Sequence, residues 1–185
     1  MIHLIEYEDQ YAADFRRLNL QWLEAYNLLE SHDLLVLDNP RGVLDRGGYI
    51  WLALAIPDDQ VAGATAAASR GSVVDQAPSI SAVTAASRSA QVVGTAALMH
   101  EHDGIYELAK MSVAPAFRGQ GISKLLIEQC LRKAKDIGAG KLVLYSNSQL
   151  QTAIQLYTKY GFRHVPAVDT PFVTADVKME LMITP

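Results

Sequence analysis

Ala116-Phe117-Arg118-Gly119-Gln120-Gly121-Ile122-Ser123-Lys124 separates a strand-like segment from a strongly amphipathic one. A strand that breaks at glycines and restarts as a helix leaves several backbone N–H groups unpaired at the helix start. With the positive end of the helix dipole behind them, those donors make a site for a pyrophosphate. Glycine lets the backbone approach the anion because no Cβ intervenes. The run is not a Walker A loop, since no Gly-Lys-Ser/Thr follows. Nor is it the dinucleotide fingerprint, since Lys124 stands where the third glycine belongs. A strand-to-helix turn without any ligand would use the same residues, so the flanking segments must decide.

At 185 residues the chain is long enough for one domain with its own core and short for two. Half of it is hydrophobic and 19% is charged, as in ordinary globular proteins. The net charge of −4 argues against non-specific nucleic-acid binding, which needs a basic surface. The single cysteine, Cys130, leaves no internal disulfide and fits a reducing compartment. Glu6, Glu8 and Asp9 occupy the stretch where a signal peptide would be apolar. The longest apolar run, Tyr49 to Ile56, is strand-length and too short to span a bilayer. A cytoplasmic protein that binds no membrane is the expectation, as monomer or homodimer.

Working outward from the glycine loop, Ile105 to Val113 reads as a strand, preceded by the tight turn Asp103-Gly104 and by the strand Gln91 to His100. Tyr49 to Ile56 is another buried strand, and Ile2 to Glu6 a short one. Phe15, Leu18, Trp22, Leu23, Tyr26 and Leu29 recur at helical spacing over Gln10 to Leu29. Ser31-His32-Asp33 breaks that pattern, and Leu34 to Gly48 reads as a short helix or loop. After the loop, Ile122, Leu125, Leu126, Cys130 and Ile137 form one helical face, capped by Gly138. Lys141 to Ser146 is a strand, Gln151 to Tyr160 a helix ended by Gly161, and Val177 to Ile183 a last, alternating strand. Val61 to Ala90 is a low-complexity insert of mostly Ala, Ser, Val, Thr and Gly, too poor in bulky side chains for a core of its own. The element order predicts one mixed α/β (α+β) domain over 1–185, a largely antiparallel sheet with helices on both faces.

Arg118, Gly121 and Ser123 fit the Arg/Gln-x-x-Gly-x-Gly/Ala acetyl-CoA loop of the GNAT family of N-acetyltransferases, with a small Ser at the last position. Ala153-Ile-Gln-Leu-Tyr157-Thr-Lys-Tyr160-Gly161-Phe162 closely resembles the family's Ala-x-x-Leu-Tyr-x-x-x-Gly-Phe segment, at the expected distance after the loop. Phe172 to Glu180 resembles a Tyr-x-Arg-x-Asn-Ile-x-Met-Glu stretch of small bacterial members, with Thr174 in place of Arg and Asp176 in place of Asn. The resemblance implies the GNAT fold, in which a central strand pair splays apart. It implies acetyl-CoA as co-substrate and an amine, on a small molecule or a peptide, as acceptor. Met111, Ser112 and Val113 then offer backbone hydrogen bonds to the pantetheine arm. Arg118, Gly119, Gln120, Gly121, Ile122 and Ser123 cradle the pyrophosphate, and Asn147 contacts the cofactor. Asn147 also suits a cap before Gln151, and the two roles are compatible.

Acetyl transfer to an amine requires the amine to lose a proton, and an alkyl ammonium has a pKa of roughly 10. A carboxylate in a partly buried cleft can take that proton. Glu107 matches the position of a general-base glutamate in some family members; a solvated or salt-bridged carboxylate is the competing reading. Ideal alternation would put Glu107, Ala109 and Met111 on one face. A backbone N–H near Met111 or Ser112 is the candidate oxyanion donor. Tyr157 matches the family's general-acid tyrosine, against the alternative of a core aromatic. No cysteine falls at the expected site, so direct transfer in a ternary complex is the expected mechanism. His100 and His102, with Glu101 and Asp103, have metal-like spacing but no placed third ligand, and read as a solvated hairpin end, so no metal is expected. His32 is a candidate for the substrate cleft or a surface loop. Ser112 and Ser146 lack a Gly-x-Ser-x-Gly context, which argues against a hydrolase. From another class, a non-catalytic acyl-CoA-binding regulator remains as the alternative.

Overall fold

The near-continuous apolar runs of the two strands Tyr49–Ala55 and Gln91–His102 place them in the middle of a sheet covered on both faces. In the computed structural model, residues 1–57, 90–168 and 170–183 are described. The predicted insert 61–90 therefore lies outside the described residues except for Ala90. The elements are β1 (Ile2–Glu6), α1 (Ala12–Ala25), α2 (Ser31–Leu37), α3 (Arg41–Asp45), β2 (Tyr49–Ala55), β3 (Gln91–His102), β4 (Ile105–Val113), α4 (Ile122–Asp136), β5 (Lys141–Ser146), α5 (Gln151–Lys159), β6 (Arg163–Val165) and β7 (Val177–Met182). The strands form one seven-stranded sheet in the order β1-β2-β3-β4-β5-β7-β6. Among the described residues, only the β4–β5 pair is parallel.

The two faces of β3 carry different helices. Thr95 meets Asn19 of α1, whereas a Cβ on the adjacent Gly94 would lie 3.0 Å from Ile122 and 3.1 Å from Leu126 of α4. Successive side chains of a strand point to opposite faces, so α1 and α4 sandwich the sheet. Glycine at position 94 is what lets α4 come this close. Phe15 and Leu18 of α1, and Ile122, Leu126, Ile127 and Cys130 of α4, are buried in the core with Leu52, Leu54 and Leu98. Each such aliphatic or aromatic side chain contributes roughly 1.5–3 kcal/mol.

β4 pairs with β5 only through Ile105–Glu107 and Lys141–Val143. Beyond Glu107 the two strands part, and the edge of β4 from Leu108 to Val113 has no strand partner on that side among the described residues. A bulge accompanies the split. Ala97 pairs with Ala109 and Thr95 with Ser112, so one residue of β3 opposes two of β4, and Lys110 takes a φ of +52°. A lysine held in the left-handed region costs free energy that surrounding contacts must offset. Here Thr95 Oγ1 donates to the Lys110 carbonyl at 2.7 Å, and Asn19 Nδ2 donates in turn to Thr95 Oγ1 at 3.1 Å. The bulge corrects the expected alternation: register with β3 puts Glu107, Ala109 and Ser112, not Met111, on the α1 side of the sheet.

Two further local expectations differ. Ser31-His32-Asp33 opens α2 rather than ending a helical pattern, because Asp33 Oδ2 accepts the Glu30 N–H at 3.1 Å in a capping arrangement. The edge strand β6 has no counterpart in the sequence reading, because its three residues, Arg163-His164-Val165, are too few to carry a periodicity.

Candidate active site

A cavity of about 720 Å³ fills the gap between the splayed strands. At one end lies the loop from Arg118 to Ser123. Gly119 and Gly121 have φ of +76° and +79°, a region costly for other residues, and an added Cβ would touch nothing within 4 Å. Glycine is therefore required by backbone conformation, and the space beside it is open to a ligand. Lys124 and Leu125 N–H donate to the Gly121 carbonyl, but the N–H groups of residues 119 to 123 have no acceptor among the described residues. Five successive free amides at the start of a 15-residue helix form an anion nest. Arg118 stands exposed beside it, its Nε donating to the Val113 carbonyl at 3.3 Å. Met111, Ser112 and Val113 line the same cavity along the open edge of β4, and Ser112 Oγ donates to the Leu18 carbonyl at 2.9 Å.

Deeper along β4 lies a cluster of ionisable groups. Glu107 is 4% exposed and has no hydrogen-bond partner for its carboxylate among the described residues. Burial pushes its carboxyl up to about 8; Lys110 opposes that shift, while Glu101 and Asp33 add to it. Lys110 Nζ donates to Asp33 Oδ1 at 2.5 Å, with both side chains only 4% exposed. Asp33 and Lys110 line the cavity with Glu107, as does Tyr145 of β5. Burial, and next the Glu107 charge, raise the Tyr145 phenol.

Tyr157 lines the cavity from α5. It is half-buried as a residue, but burial around its hydroxyl, with the Cys130 thiol adding, pushes the phenol up to about 12. Cys130 itself is fully buried in α4, its thiol raised by that burial, and does not line the cavity. Asn147 lines the cavity too, but its side chain is engaged. Nδ2 donates to the Thr174 carbonyl at 2.7 Å, and Oδ1 accepts the Gln149 N–H at 2.9 Å.

The segment before β7 forms a strap over this end. Glu30 accepts the Val173 N–H at 3.0 Å, and the Thr174 N–H and hydroxyl at 2.7 Å each. Burial raises the Glu30 carboxyl, but these bonds outweigh it and hold the group below its usual range. Phe172 then packs edge-on against His32 at 5.0 Å, beside Tyr145 at 5.9 Å and under Lys110 Nζ at 5.7 Å. Asp176 clamps Ser148 through two bonds of 2.7 and 2.6 Å.

Of the residues expected at the site, all but Gln120 line this one cavity. His32 does not line it and serves as a wall for Phe172; His100 and His102 lie away from it, His100 against the Tyr106 ring. The sequence reading misses Asp33, Lys110, Trp22, Tyr26, Tyr145 and Phe172, which also line the cavity. The spacing of Trp22 and Tyr26, in and just after α1, is visible in the sequence, but it is the same spacing that core packing produces.

Residues 79–164 match the family described as Acetyltransferase (GNAT) domain. An uncharacterized N-acetyltransferase of Escherichia coli K12, YjgM, is 36% identical over 72 residues, which cover 39% of this chain. The match spans 43% of that relative's length. Among solved structures, a GNAT-family acetyltransferase from Staphylococcus aureus Mu50 superposes with a TM-score of 0.75 at 20% identity, covering all of both chains. PaiA N-acetyltransferase from Thermoplasma acidophilum, solved in complex with coenzyme A, superposes with a TM-score of 0.66 at 13% identity, over 98% of this chain and 99% of that one. The family match runs from β3 into β6, which hold the glycine loop, the splayed strands and the tyrosine helix, and the likeness to solved structures extends over the rest: the chain has the GNAT acetyltransferase fold, and residues 79–164 are similar to that family's domain.

Proposed function

We propose that the protein is an acetyl-CoA-dependent N-acetyltransferase that moves an acetyl group to a primary amine by direct transfer. The observation that carries this reading is continuity. A nest of five free amides opens onto the unpaired edge of β4, and that edge leads to a buried carboxylate and a buried phenol. The nest fits a pyrophosphate in charge and shape, with Arg118 beside it. Residues 119 to 123 would hold the pyrophosphate and residues 111 to 113 the pantetheine arm, with Asn147 at the flank. Bound acetyl-CoA supplies the activated acetyl group.

Glu107 is the proton acceptor for the incoming ammonium. A carboxyl near 8 still ionises close to neutral pH, and it matches a weakly acidic ammonium far better than an ordinary carboxylate does. Tyr157, held protonated across the neutral range, is the donor to the leaving sulfur. A backbone amide near Met111 or Ser112 is the donor for the developing oxyanion. Burial of the carboxyl and the phenol keeps both in a low-dielectric setting, where their interactions with the reacting groups are strengthened.

Calorimetry with acetyl-CoA, followed by CoA release across a panel of amines, tests the reading. Gly121→Asp puts a carboxylate into the nest and a side chain at a φ of +79°, and should abolish binding in a folded protein. Unchanged affinity in that variant would remove the pyrophosphate assignment. Tight binding without turnover on any amine would instead favour an acyl-CoA-binding regulator.

A further inference from the structure

The end of the cavity beyond Glu107 has a distinct chemistry, built by α1, α2 and the strap, of which α1 and α2 and the residues after 164 lie outside the matched family segment. Trp22 lies in the last turn of α1, and Tyr26 caps that helix, its N–H donating to the Trp22 carbonyl at 3.1 Å, so the two residues lie one turn apart. Phe172 and Tyr145 add two more rings, 5.9 Å apart. The ionisable groups on these walls are Tyr26 at the end of α1, Asp33 of α2, Glu107 and Lys110 of β4, and Tyr145 of β5; Glu101 of β3 acts on Glu107, and Lys178 Nζ of β7 lies 5.7 Å from the Tyr145 ring centroid without lining the cavity. Lys110 is the single cation among them in the described residues; Arg118, Lys124 and Lys159 line the cavity from the glycine loop, α4 and α5.

That cation is already committed. Lys110 Nζ sits 2.5 Å from Asp33, both 4% exposed, with the Phe172 ring over it. A buried pair at this distance spends its charge internally. An incoming carboxylate would find no unpaired cation among the side chains that line this end, because Asp33 holds Lys110, and would be left desolvated. An incoming amine meets the ring faces, which attract its cationic form, and the Glu107 carboxyl, which can exchange a proton with it.

Resting on the acetyl-transfer reading above, we infer that the acceptor is a primary amine on an aromatic or bulky apolar body, and that the Asp33–Lys110 pair makes the site select against acceptors with a carboxylate next to the amine. Lys110 and Asp33 are thus specificity-determining residues. No bond is made or broken at the pair itself.

The test compares 2-phenylethylamine, phenylalanine and phenylalaninamide, at saturating acetyl-CoA, by CoA release. The first two share ring and spacing and differ by the carboxylate; the amide restores its size without its charge. The expected result is a kcat/KM for phenylethylamine at least about tenfold above that for phenylalanine, with the amide within a few-fold of phenylethylamine after correction for free amine. Asp33→Asn frees the Lys110 ammonium and should narrow the phenylethylamine preference by about tenfold. Equal or better use of phenylalanine by the wild type would overturn the inference. Rejection of the amide as strongly as the acid would overturn it too, because size and not charge would then be the filter. Should Asp33→Asn not fold, the three-substrate comparison on the wild type decides alone. Acetylation of other amines with none of these three used refutes the acceptor class and leaves acetyl transfer standing. Failure to bind acetyl-CoA at all refutes the acetyl-transfer reading itself.

Discussion

Replacing Glu107 with Gln should stabilise the fold, and by an amount that grows with pH. In the folded protein the Glu107 carboxyl is raised from 4.5 to about 8, first by burial, against the opposing effect of Lys110. Below pH 4.5 both folded and unfolded chains hold the proton, and the group costs nothing. Between 4.5 and about 8 the unfolded chain releases it while the folded chain keeps it, so stability falls by about 1.36 kcal/mol per pH unit. By pH 7 the loss approaches about 3 kcal/mol, and above the folded value it levels off near 5 kcal/mol. The amide of Gln carries no such dependence. For a chain of this size each kcal/mol moves Tm by roughly 2–4 °C, so the variant should gain roughly 6–12 °C on the wild type between about pH 4.5 and pH 7. Thermal melts of both proteins at about pH 5, 6, 7 and 8 measure the difference directly, and other titrating groups cancel between them. The same variant should lose turnover, with the largest loss near neutral pH, where free amine is scarce. Parallel Tm–pH curves for the two proteins would refute the reasoning, because they would mean that Glu107 ionises in the fold as it does in the unfolded chain.

Tyr157→Phe should lower turnover roughly 10–100-fold while acetyl-CoA affinity holds, and the wild-type rate should show no alkaline fall from this phenol until pH approaches 12; pre-steady-state CoA release checks both. Glu30→Ala removes the acceptor for Val173 and Thr174, so the strap should loosen and KM for the acceptor should rise several-fold with little change in acetyl-CoA binding by calorimetry. Gly94→Val should destabilise the protein by about 1–3 kcal/mol in urea unfolding, since its side chain drives into Ile122 and Leu126 and α4 must shift.

Most of the frame is legible in the chain because it follows from local rules. The apolar runs of β2 and β3 and the helical spacing of α4 are periodic, and side-chain period follows backbone geometry. Gly119 and Gly121 mark a left-handed turn that few other residues adopt, so their spacing locates the strand-to-helix loop. Glu107 and Tyr157 stand out as candidates through a family pattern, whereas Trp22, Tyr26, Asp33 and Phe172, which line the same cavity, lie outside the matched segment.

What the tertiary structure decided is the environment of those residues. Glu107 and Tyr157 owe their raised proton affinities to burial, which depends on packing from distant parts of the chain and leaves no mark in local spacing. The bulge at Lys110 reverses the alternation of β4, and it is held by Thr95 and Asn19 from other elements. Asp33 reaches Lys110 across 77 residues of sequence, and Glu30 reaches the strap across 143 and 144. Pattern reading sees a lysine in a strand and an aspartate in a break after a helical stretch, both consistent with solvated surface. Only the closed fold, by stripping water from Lys110 and Asp33, turns that pair into obligatory partners.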